Sequence, residues 1–71
     1  MIKLENKENG RYYYLHVETD IFGDLTLIVM RGGINRHIRP HMVMAGKMEA
    51  IDQKIKELIR RRISRGYTSV N

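Results

Sequence analysis

The chain contains no cysteine and no tryptophan, with a single proline and a single phenylalanine among its 71 residues. Without thiols there is neither a disulfide framework nor a thiolate zinc site, so a small core must be held together by packing or by a partner. No apolar run approaches the roughly 18 residues of a membrane-spanning helix. The first residues also lack the basic, apolar and small-residue order of an export signal. These absences predict a cytoplasmic protein with no membrane partner. Hydrophobic residues make up 42% and charged residues 30%, the balance of a globular domain, and the length leaves room for one core only.

Acid is missing from the middle of the chain. Residues 25–48 hold Arg31, Arg36, Arg39 and Lys47 and no aspartate or glutamate. The C-terminal third adds Lys54, Lys56, Arg60, Arg61, Arg62 and Arg65 against Glu49, Asp52 and Glu57. With a formal net charge of +5, these two regions would draw an anionic partner. The plainer reading, that they are solvated faces of a small protein, stays open.

Residues 1–10 are polar, with Asn6, Asn9 and Gly10 as turn formers, and predict a loose lead-in before a single domain at 11–71. Arg11–Thr19 reads as a strand that buries Tyr13, Leu15 and Val17 and leaves Tyr12, Tyr14, His16 and Glu18 facing water. The Asp20–Asp24 turn carries an Ile21-Phe22 pair, expected to pack onto the core. Leu25–Arg31 is the most apolar stretch, predicted as a strand central in the sheet. Gly32 and Gly33 predict a turn or bulge. A third extended stretch follows over Asn35–Met44, at a sheet edge or with a bulge at Pro40, which lacks a ladder donor.

The one helical pattern has Met48, Ile51, Ile55, Leu58, Ile59 and Ile63 at three- and four-residue steps and stops at Gly66. Tyr67–Val70 then either adds a short strand or docks. The fold class is α+β, with an antiparallel sheet of three to four strands packed against one amphipathic helix, in the order β-β-β-α and optionally a final short β.

Catalytic and metal chemistry find no support in these residues. His37 and His41 are about 13 Å apart on a strand, too far for one metal ion. No nucleophile elbow or phosphate-binding loop is present, and no carboxylate pair can be chosen, so neither an enzyme nor a cofactor is expected. Strand alternation does place His37, Arg39 and His41 on one face at steps of about 6.6 Å, a ladder suited to a phosphate backbone. Tyr12 and Tyr14 are free to stack on bases.

In order along the chain, Arg11–Tyr67 resembles a WGR domain of the short bacterial type. The resemblance is carried by the aromatic strand RYYYL, the Asp20-Ile21-Phe22-Gly23 turn and the strand LTLIVM. It continues with Gly32 and Ile34 in the signature turn, Arg39 in the next strand, Glu49-Ala50 opening the helix and RRRISRGY closing it. The chain is a divergent example. Where the family has Trp-Gly-Arg-Ile-Gly, it reads Arg31-Gly32-Gly33-Ile34-Asn35, and Lys47 takes the helix-capping Ser/Thr position. The resemblance implies a twisted antiparallel sheet crossed by one helix and a surface used for nucleic acid or partner domains. The DNA-gripping roles of the family's Trp and Arg do not carry over, because both are replaced.

The leading expectation is therefore a non-enzymatic module that binds nucleic acid, DNA before RNA, with little sequence selectivity. The candidate contacts are Arg31, Arg36, His37, Arg39, His41, Arg60, Arg61, Arg62 and Arg65. The alternative is a protein–protein interaction module or homodimer that has lost the DNA role.

Overall fold

A computed structural model of the chain describes residues 1–70; Asn71, the last residue of the expected 11–71 domain, lies outside them. Strands β1 (Ile2–Asn6), β2 (Arg11–Thr19), β3 (Leu25–Gly33) and β4 (Arg36–Gly46) precede helix α1 (Met48–Ser64), and a short β5 (Thr68–Ser69) follows. The strands form one antiparallel sheet in the order β4-β3-β2-β1-β5. The architecture is α+β, as the periodicities predict, with five strands in place of three or four.

Side-chain alternation decides which face the helix covers. Leu4, Tyr13, Leu15, Leu27 and Val29 are buried on one face, where they meet Ile51 and Leu58 of α1 and Tyr67 beyond it. Register explains the match: Leu4 lies opposite Tyr13, Leu15 opposite Val29 and Val17 opposite Leu27. Each fully buried aliphatic side chain contributes about 1.5–3 kcal/mol relative to exposure. The other face carries Tyr12, Tyr14, His16, Ile28 and Met30, all half-buried, with no layer over them among the described residues.

The expected loose lead-in is instead strand β1. Its polar composition hides an alternation of Ile2, Leu4 and Asn6, and β1 pairs with both β2 and β5. Asn6 is buried and hydrogen-bonded at both ends of its amide. Its Oδ1 accepts the Glu8 N–H at 3.0 Å, and its Nδ2 donates to the Arg65 carbonyl at 3.3 Å. Because β1 extends the sheet on that side, the middle position belongs to β2, and the apolar β3 is an inner strand beside it.

Two loops also differ from expectation. The chain reverses at Ile34 and Asn35, with Asn35 at φ 58°, while Gly32 and Gly33 lie inside β3. At Gly32 the reason for glycine is close approach: a Cβ there would lie 2.4 Å from the Arg36 carbonyl oxygen. The Ile21-Phe22 pair does not pack down. Asp20 Oδ1 accepts the N–H groups of Phe22 and Asp24, and this closed turn directs both apolar side chains outward.

Both expectations for the Pro40 strand hold. Strand β4 is an edge, and its register against β3 slips between the Val29–His41 and Arg31–Ile38 pairs, at Arg39-Pro40. At the far end of α1, Gly66 takes φ 93°. Its N–H donates to the Ile63 carbonyl and that of Tyr67 to the Arg62 carbonyl, each at 3.0 Å. This closure turns the chain so that Tyr67 returns to the core.

Candidate nucleic-acid interface

Sheet register builds a cationic pocket beside the end of the helix. Arg31 lies opposite Tyr13 on β2 and opposite Ile38 on β4, so the three form a row on the helix side. In the adjoining row Gly33 lies opposite Arg36 and against the stem of Arg11. Glycine here leaves open the space a side chain would fill. From above, α1 brings Arg62, whose guanidinium carbon sits 4.0 Å from the Tyr13 ring centroid and 5.7 Å from that of Tyr67.

The resulting cavity is about 420 Å³ and is lined by Arg11, Arg31, Arg36 and Arg62 together with tyrosines, isoleucines and glycines. No carboxylate lines it. Among the described residues none of these four arginines forms an ion pair, and the Arg62 Nε is buried with no hydrogen-bond partner. Four like charges around one recess repel each other, and an anion between them relieves that repulsion. Guanidinium groups offer planar, forked donors that match phosphate and carboxylate oxygens.

The pocket gathers Arg31, Arg36 and Arg62 from the residues singled out in the sequence, and adds Arg11. The others lie elsewhere. Arg60, Arg61 and Arg65 are exposed along or after the last turns of α1, and Arg61 is paired with Glu57. Arg39 stands exposed at the β4 irregularity. The His37–Arg39–His41 ladder does not exist. His37 lies opposite Gly32 and His41 opposite Val29, positions on opposite faces of β3, because the slip at Arg39-Pro40 breaks the alternation.

On the uncovered face, Tyr12 Oη and His37 Nδ1 share a hydrogen bond of 2.9 Å, and the Tyr12 and Tyr14 centroids are 4.8 Å apart. The Tyr14 hydroxyl donates to Glu5 at 3.1 Å. Its pKa is raised above the ordinary value, first by desolvation and then by that carboxylate.

Arg11 is the pocket residue that charge distribution along the sequence does not single out, and a signal for it exists. Counting equal steps outward from Phe22, the middle of the Asp20–Asp24 turn, pairs Tyr13 with Arg31 and Arg11 with Gly33. Parity then puts all four on the same face as the buried Leu15.

Among the described residues no group of three or more His, Asp or Glu is placed to hold a metal ion, and no helix is long and apolar enough to cross a membrane. Comparison with protein-family models, with curated proteins and with solved structures finds no match.

Proposed function

We propose that this chain is a non-enzymatic module that binds nucleic acid by its phosphate backbone, seated in the pocket of Arg11, Arg31, Arg36 and Arg62. The observation that carries this reading is the convergence of four arginines from β2, β3, β4 and α1 on one recess with no acid in its lining. Phosphate contacts position a ligand without reading bases, so little sequence selectivity is expected. The preference for DNA over RNA, and membership of the WGR family as a divergent member, rest on the resemblance of Arg11–Tyr67. In this reading Arg31, at the position of the family's Trp, meets a phosphate or stacks on a sugar or base through its flat guanidinium. The protein acts in the cytoplasm, away from membranes.

An amide-shift NMR titration with a short DNA duplex tests the proposal. The expected shifts fall on residues 11–13, 31–38 and 62–67. Shifts confined to the uncovered face, around Tyr14, His16 and Met30, or no shifts at low salt, would refute it.

A further inference from the structure

The β2–β3 hairpin ends in a tip whose chemistry is the reverse of the pocket's. Between Tyr12 and Met30 there is no lysine or arginine, while Glu18, Asp20 and Asp24 gather where the hairpin turns. The turn is closed by Asp20: its Oδ1 accepts N–H groups from Phe22 at 2.8 Å and Asp24 at 3.0 Å, and its carbonyl accepts that of Gly23 at 3.1 Å. Held this way, Ile21 and Phe22 are 92% and 83% exposed. Two adjacent large apolar side chains on an ordered turn form a small surface suited to burial against a partner.

The flanking carboxylates argue against a nucleic-acid partner, whose phosphates they would repel. They call for a recess that combines ring and aliphatic surface with cations, and this chain carries one. The pocket offers Tyr13, Ile38 and Tyr67 among its arginines. Tip and pocket lie at opposite ends of the β2–β3 hairpin, in a molecule 40 Å long, so a chain cannot fill its own pocket.

We infer that the Ile21–Phe22 tip of one copy docks into the arginine–tyrosine pocket of a second, with Asp24 and the tip's other carboxylates facing the arginines. The contact is heterologous, so repetition gives head-to-tail chains or rings and not a closed two-fold dimer. A hairpin tip buries well under the roughly 1,000 Å² of a stable interface, so the association is weak and reversible. It uses the same pocket as the proposed nucleic-acid site but does not depend on that reading, and nucleic acid would compete with it.

Sedimentation velocity without nucleic acid, from micromolar to millimolar protein, tests this. The wild-type chain should show a sedimentation coefficient that rises with concentration and falls back with added salt. Phe22→Ser removes the tip and Arg31→Glu spoils the pocket; each alone should weaken association by more than about tenfold. Circular dichroism confirms that both variants fold. Mixed together they retain one intact tip and one intact pocket, so the mixture should form a one-to-one dimer that grows no further.

A wild-type chain that stays monomeric throughout, association that survives Phe22→Ser, or a mixture no heavier than its components would overturn the inference. Each of those results leaves the nucleic-acid proposal standing, since no nucleic acid is present. Failure to bind DNA would likewise leave the sedimentation results unchanged.

Discussion

The guanidinium carbon of Arg62 lies 4.0 Å from the centroid of the Tyr13 ring, which joins the last turns of the helix to the middle strand of the sheet. The contact serves both packing and charge. Tyr13 is buried beneath it, and Arg62 also lines the arginine pocket. Arg62→Met keeps an apolar stem over the ring and removes the cation, so unfolding in urea should show a loss of about 1–2 kcal/mol. Arg62→Lys should lose a similar amount of stability, because an ammonium does not stack flat, while retaining part of the affinity for DNA.

Gly32 and Gly33 are adjacent, and their substitutions should separate sharply. A Cβ on Gly32 would lie 2.4 Å from the Arg36 carbonyl oxygen and 2.7 Å from Tyr12 Oη, so the β3–β4 backbone must move. Gly32→Ala should cost more than about 2 kcal/mol in denaturant unfolding. A Cβ on Gly33 meets the Arg11 Cγ at 3.4 Å and the Arg11 Cα at 3.9 Å, both ordinary contacts and the nearer one with a flexible stem. Gly33→Ala should change stability by less than about 1 kcal/mol.

Tyr14 gives stability an alkaline limit. Desolvation and the Glu5 carboxylate raise its pKa above the ordinary value of 10.0, so the folded state holds the phenolic proton more tightly than the unfolded chain does. The stabilisation is fully present below pH 10.0 and is lost as pH rises through the folded-state value. Tyr14→Phe should flatten this decline when thermal unfolding is followed across the alkaline range.

The helix begins without a side-chain cap. Lys47 occupies the N-cap position with extended backbone angles and makes no side-chain capping bond. Lys47→Ser supplies the missing acceptor for an orphan N–H and should stabilise the fold by about 0.5–2 kcal/mol, read as a higher urea midpoint at unchanged slope.

These residues also show why some of the structure was legible in the sequence and some was not. Strands β2 and β3 and helix α1 each repeat an apolar period long enough to outweigh their polar neighbours, so their types follow from spacing, and their buried faces with them except at the ends of α1, where Met48 and Ile63 are exposed. Strand β1 offers only Ile2 and Leu4 among charged residues, and its partner Thr68–Ser69 arrives from the far end of the chain. Hydrophobicity suggested burial for Ile21 and Phe22, but the Asp20 turn sets their direction. The slip at Arg39-Pro40 was foreseeable from the proline, and its consequence, that His37 and His41 part to opposite faces, follows only once residues are paired across strands. In the pocket, Arg31, Arg36 and Arg62 were singled out for their charge. Arg11 joins them through hairpin register, which is legible only by counting residues outward from the Asp20–Asp24 turn.

In the proposed function the arginine pocket, and not the exposed end of the helix, holds the nucleic acid. Anisotropy titrations of a labelled DNA duplex over a range of salt concentrations test it most directly. Four phosphate contacts predict that log affinity falls against log salt with a slope of about −3.6, and Arg31→Gln with Arg36→Gln should reduce this to about −1.8. Arg60→Gln with Arg65→Gln should leave the slope near its starting value. A slope lowered by the helix-end pair and untouched by the pocket pair, or no binding at low salt, would contradict the account.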